Sequence, residues 1–200
     1  MVKTKVVLSI HGMNDRKAGK NTVDKVALAM PVKYVDTDDA EYGYVEFTRI
    51  WFFKKRFLER VAGGIKKWID NPEITDIYLL VHSNGLNFSL QALKLLNKRG
   101  QLSGDVKIHI IAYSGCANRK VNTDLAHVVY NWYTENDKAL KAAKYLPSWT
   151  MGSFGLGKYR GKSKNVKDKR ITDHISGHSS WFHGVALQKT IDKTAEVVLA

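Results

Sequence analysis

Two hundred residues, 44% apolar and 26% charged, suit one soluble globular domain over residues 1–200 and leave too little chain for two. Apolar runs such as "IYLLV" and "IHIIA" are strand-length, which excludes a membrane-spanning helix, and "MVKTKVVLSIHG" is too briefly apolar for a secretory signal. A net charge of +13 directs attention to anionic partners, while the lone Cys116 cannot form an intramolecular disulfide and fits a reducing, cytoplasmic setting.

In chain order, the patterning predicts a strand over 5–10 ("KVVLSI") and another over 32–36 ("VKYVD"). Residues 46–69 then place Phe47, Ile50, Trp51, Phe57, Leu58, Val61, Ile65, Trp68 and Ile69 mostly on one face at helical spacing. A strand over 76–81 follows. A helix over 86–99 carries Leu86, Leu90, Leu93 and Leu96 and stops at Gly100. Strands over 107–113 and 127–133 lead to a helix over 138–146. Residues 151–165 ("MGSFGLGKYRGKSKN"), rich in glycine and lysine, read as a long surface loop. A weak strand over 166–175 and a helix over 181–198 complete the chain. This alternation predicts an α/β three-layer sandwich, with a mostly parallel central sheet of about six strands and helices on both faces. Near-continuous apolar runs agree, because central parallel strands are buried on both sides.

Ligands of open parallel sheets bind at the carboxyl ends of the strands, so the residues that follow each strand carry the functional signal. They are "HGMND", "HSNG", "TENDKAL" and "SGHSSWF": a His-Gly turn, a serine, an acid and a histidine, in that order. The order and spacing resemble the α/β-hydrolase family, in a minimal form without a cap domain. "VHSNG" resembles that family's nucleophile elbow, "IHGMND" its His-Gly turn, "NWYTENDKAL" its acid segment and "GHSSWF" its histidine loop. The resemblance implies Ser83 as nucleophile, Asp137 as triad carboxylate and His178 as general base. It also implies an oxyanion hole from backbone N–H groups of Gly12 or Met13 and of Asn84. An activity on ester, thioester or amide bonds through an acyl-serine intermediate follows, with no cofactor and no metal. The family elbow usually has a small residue two before the serine; Val81 stands there, and its branched side chain is expected to crowd the turn.

Plainer readings compete. Ser83 suits a helix N-cap, and Asp137 suits the N-terminus of the helix after it. Asp124 is a second acid, but it precedes its strand; His174 and His183 are alternative bases, placed in the last strand and the last helix. His11 and His82 are expected to shape the turns beside the site. A metal site from His174, His178 and His183 lacks a ligand spacing. "GSFGLGK" (152–158) fits the start of a phosphate-binding loop, but Tyr159 replaces the hydroxyl that would hold magnesium. Cys116 shows no neighbouring base.

Residues 158–170 hold seven Lys or Arg and one Asp. Lys158, Arg160, Lys162 and Lys164 are therefore candidate contacts for an anionic substrate, or for an anionic membrane surface or nucleic acid. An acyltransferase on the same fold, or a non-catalytic protein that uses this charge on nucleic acid or membranes, are the rival functions.

Overall fold

The computed structural model describes residues 4–12, 22–31, 35–39, 47–102, 104–143, 145, 152–172 and 175–200, with the backbone alone for 35–39, 47–54 and 143. Its centre is a six-stranded sheet in the order β2-β1-β3-β4-β5-β6, where β1 is Lys5–Ile10, β2 Val35–Asp39, β3 Asp76–His82, β4 Lys107–Tyr113, β5 Val128–Tyr133 and β6 Val166–Arg170. Every pairing is parallel and in steady register, for example Leu8 with Leu79 and Leu79 with Ile110.

The central strands bury both faces, as their unbroken apolar sequences require. Ile77, Leu79 and Val81 of β3 enter the core on one side, with Ile108, Ile110 and Ala112 of β4. Helices α2 (Phe47–Ile69) and α3 (Gly85–Lys98) cover this side through Phe57, Val61, Ile65, Leu86, Leu93 and Leu96. Tyr78, Leu80, Ile111, Tyr113 and Trp132 face the other way, under α1 (Val23–Leu28) and α5 (Gly184–Leu199). Each fully buried aliphatic side chain contributes about 1.5–3 kcal/mol against exposure, so the two cores fix the alternation of faces firmly.

The α3 stop follows from one glycine. Gly100 adopts φ +67°, the Gly100 N–H donates to Asn97 O at 3.0 Å, and the Gln101 N–H donates to Leu96 O at 2.9 Å. This is a Schellman ending. On α5, Thr194 is buried mid-helix, where its hydroxyl bonds Thr190 O and the Tyr113 hydroxyl.

Several boundaries differ from the expectation. Helix α1 was not read from the sequence, because six residues are too few for a periodic signal. β2 lies at 35–39 rather than 32–36; pairing with β1 selects "VDTDD", and its charged residues suit an edge strand. β6 ends at Arg170 rather than 175, α4 spans Lys138–Ala143, and a 3₁₀ turn, Ser180–Phe182, precedes α5. Residues 152–165 are not wholly a surface loop: Phe154 is fully buried within a 3₁₀ turn over Phe154–Leu156. No helix among the described residues is long and apolar enough to cross a membrane.

Candidate active site

The carboxyl ends of β1, β3, β4 and β5 bring Gly12, Ser83, Ser114 and Asp137 to one edge of the sheet. Ser83 follows β3 directly and has φ 53°, a left-handed conformation that is uncommon for a residue with a β-carbon. Neighbouring backbone holds it there. Its N–H donates to Tyr113 O at 3.3 Å, and its carbonyl accepts the Cys116 N–H at 2.7 Å. The turn also needs glycine beside it: a β-carbon on Gly85 would stand 2.3 Å from the Ile10 carbonyl oxygen, so only glycine lets α3 begin against β1. Val81 does not prevent this geometry; its side chain is fully buried among the α2 and α3 side chains, below the turn.

Ser83 is half-buried and is not the helix cap. Asn84 occupies the N-cap position of α3 and makes no side-chain cap bond. Gly12 lies against the serine: a β-carbon there would be 2.7 Å from Ser83 Cβ and 3.2 Å from its Oγ. The Gly12 carbonyl accepts from His11 Nδ1 at 2.7 Å. Met13, the other expected oxyanion-hole residue, lies outside the described residues.

Asp137 meets both of its sequence readings at once. Its Oδ1 accepts the Leu140 N–H at 2.9 Å, capping α4, while its Oδ2 accepts from His178 Nδ1 at 2.7 Å. The carboxylate is fully buried and the imidazole partly exposed. Burial alone would raise this carboxyl's pKa; hydrogen bonds from His178, Leu140 and the Ser114 hydroxyl, with the nearby imidazole charge, instead hold it below its ordinary value. Donating Nδ1–H to a carboxylate leaves His178 Nε2 as the basic nitrogen.

His82 does more than shape a turn. Its Nε2 donates to the His178 carbonyl at 2.9 Å, and its ring lies 4.7 Å from the His178 ring and edge-on to Phe182 at 5.0 Å. Burial, then the neighbouring His178, push its pKa down to about 3, so it is neutral and a fixed donor. The sequence offered one signal for this, a histidine directly before the serine. Ser114 and Trp181 are not among the residues the sequence pattern singles out. Trp181 Nε1 donates to Ser114 Oγ at 2.9 Å, with both side chains buried. The available signal was a serine directly after a strand, as for Ser83.

Among the described residues no group of three or more His, Cys, Asp or Glu is placed to hold a metal. His183 is exposed, His174 lies outside the described residues, and the buried Cys116 thiol is raised to about 11, chiefly by burial. The basic segment descends the sheet. Arg119 donates to Lys158 O at 2.6 Å and Arg160 N–H to Arg119 O at 2.9 Å, part-way down. Beyond them Ser163 Oγ accepts the Thr123 N–H, and Asn165 bonds Thr123 O and Ala126 O, just ahead of β5. Lys164 lines a groove of about 490 Å³ there, with Leu102, Val106 and Ile108. Lys162 and Lys164 thus stand a strand's length, roughly 20 Å, from the Ser83 edge. Position separates these two of the four expected cations from the serine.

No protein-family model matches the chain, and no curated protein matches it in sequence. In structure it is similar to the esterase Est1E from Butyrivibrio proteoclasticus, with TM-score 0.61 and 14% identity, over 100% of this chain and 88% of the other. At that identity the likeness is one of architecture. The chain has an α/β-hydrolase-like fold.

Proposed function

We propose that this protein is a serine hydrolase of ester, thioester or amide bonds, acting through an acyl-Ser83 intermediate. The observation that carries the reading is the buried Asp137 carboxylate 2.7 Å from His178 Nδ1, at the same sheet edge as a serine with φ 53°. A serine hydroxyl is a weak nucleophile until an imidazole takes its proton. His178 Nε2 takes that proton as Ser83 Oγ attacks the carbonyl carbon, and returns it to the leaving group as the bond breaks. Asp137 fixes the tautomer and stabilises the imidazolium. Backbone N–H groups of Gly12 or Met13 and of Asn84 receive the oxyanion. Water, activated by the same histidine, then releases the acid and restores Ser83.

The fold likeness to an esterase supports the reaction class and does not extend to a substrate. An acyltransferase would share every step up to the acyl-enzyme and differ only in the acceptor. Of the basic residues, Lys158 and Arg160 remain the candidates for attracting an anionic substrate. The test is turnover of short-chain p-nitrophenyl esters by the parent and by Ser83→Ala and His178→Ala proteins of equal thermal midpoint. Turnover lost in both variants supports the reading; turnover kept in Ser83→Ala overturns it.

A further inference from the structure

Residues 158–170 carry seven basic side chains and one acidic one, in a chain whose net charge is +13. The first part of this segment is anchored through alternate residues. Tyr159 Oη donates to Val121 O at 2.7 Å, Ser163 Oγ accepts the Thr123 N–H at 3.1 Å, and Asn165 Nδ2 donates to Thr123 O at 2.8 Å and to Ala126 O at 2.7 Å. Gly161 packs so closely on Tyr159 that a β-carbon there would collide with the tyrosine hydroxyl. The residues that alternate with these anchors are Lys158, Arg160, Lys162 and Lys164, and all four are exposed. The inward bonds of one set therefore hold the other set out as a row of cations.

β6 adds two more. It is an edge strand, and on it Lys167 and Lys169 stand exposed on either side of Asp168. The Asp168 carboxylate accepts the Asn131 amide at 2.7 Å and the Tyr159 N–H at 3.1 Å. The second bond ties the two stretches together, because Lys158 and Arg160 flank Tyr159 as Lys167 and Lys169 flank Asp168. Arg119 braces the row: its guanidinium donates to Lys158 O at 2.6 Å, and its carbonyl accepts the Arg160 N–H at 2.9 Å. Among the described residues, no carboxylate pairs with any of these six exposed cations. Lysines on an edge strand also block pairing between sheets, which accounts for Lys167 and Lys169 by themselves. The four cations of 158–164 have no edge to protect, and their mutual repulsion is relieved by an anion laid across them.

We propose that this row binds duplex nucleic acid through its phosphates, without reading base sequence. A phosphate backbone supplies the repeated negative charge that a row of exposed cations matches, and such contacts position a protein without carrying sequence information. Tyr159 is the segment's only aromatic side chain and its hydroxyl is turned inward to Val121, so no ring is offered for stacking unpaired bases. That favours a duplex over a single strand. A bilayer is the poorer match, since lasting retention there combines charge with an inserted apolar group. The exposed large apolar residues of the described chain, Leu28, Tyr145, Val185 and Leu199, all lie outside the segment. Binding at this surface does not depend on the chemistry proposed for Ser83.

The test is fluorescence anisotropy of a labelled DNA duplex of about 25 base pairs, in two unrelated sequences, titrated with the full chain at about 50 and 200 mM salt. Two variants of equal net charge are compared with the parent. The row variant carries Lys158→Gln, Arg160→Gln, Lys162→Gln and Lys164→Gln; the helix variant carries Lys55→Gln, Lys94→Gln, Lys98→Gln and Lys189→Gln. The parent is expected to bind both sequences alike and to lose about 100- to 1,000-fold in affinity between the two salt concentrations, as about four to six phosphate contacts require. The row variant is expected to bind at least about tenfold more weakly at the lower salt and to lose only about tenfold on going to the higher, while the helix variant stays within about threefold of the parent. If the row variant has a lower thermal midpoint, Lys162→Gln with Lys164→Gln replaces it, with an expected loss of about 3- to 10-fold. A parent that does not bind the duplex overturns the inference, as does a helix variant weakened as much as the row variant. Tighter binding to the matching single strand, or to phosphatidylcholine–phosphatidylserine vesicles, overturns it too.

Discussion

Replacing Asp137 by Asn is the most informative single change at the site. The side chain is fully buried and accepts from His178 Nδ1–H and from the Leu140 N–H. An amide has one oxygen to offer and brings an NH₂ group of its own. The Leu140 N–H cannot become an acceptor, whereas an imidazole can change tautomer. The least costly arrangement turns the amide oxygen to Leu140 and the NH₂ to His178. Nδ1 then becomes the acceptor and Nε2 carries the proton, so it cannot take one from Ser83. The expected loss in kcat is on the order of 10⁴-fold, or about 5 kcal/mol of barrier. Stability should fall by only about 1–3 kcal/mol, because the buried groups can re-pair. Single-turnover acylation by a fluorogenic ester and urea unfolding would measure the two effects separately. A folded Asp137→Asn protein that acylates within tenfold of the parent would refute the assignment of Asp137.

Other outcomes follow from the same geometry. Burial holds His82 near a pKa of about 3 in the folded chain against 6.5 for an unperturbed histidine, so the unfolded state takes the proton first and stability falls as pH drops below 6.5. Between pH 6 and 4.5, urea unfolding should show the parent losing about 1.4 kcal/mol per pH unit more than His82→Gln; His109, also lowered by burial, contributes equally to both and cancels. Gly85→Ala places a β-carbon against backbone oxygen and should lower stability by about 2 kcal/mol or more. Gly100→Ala, at φ +67° with open space around it, should lose about 1 kcal/mol and leave acylation unchanged. Neutralising Lys162 and Lys164 to Gln should leave kcat/KM for a small anionic ester within about twofold, while Lys158→Gln with Arg160→Gln should weaken it in a salt-sensitive way.

The sheet was legible because its central strands are short, continuous and apolar: "IYLLV" and "IHIIA" cannot be anything but buried, and the helical stretches between them dictate parallel crossovers. The margins were not legible. β2 is held by pairing with β1 rather than by its own pattern, and α1 is too short to show one. At the site, Ser83, Asp137 and His178 stood out as polar residues after strands. Ser114 has the same signature in "AYSG", and only its contact with Trp181, 67 positions away, sets it apart. The role of His82 depends on a contact with a residue 96 positions away, which no local pattern encodes. The course of the basic run was not legible either: residues 158–164 lie between the acid and the histidine along the chain, and it is the pairing of Ser163 and Asn165 with Thr123 that carries its far end to the start of β5.

Activation of Ser83 is the property on which the proposed chemistry depends. Intact-protein mass after exposure to a small fluorophosphonate, for the parent chain and for Ser83→Ala, tests it in one step. A single adduct on the parent that is absent from the variant is the predicted result. A well-folded parent that takes up no adduct, or a Ser83→Ala protein that is labelled equally, would contradict the central claim that this serine is activated.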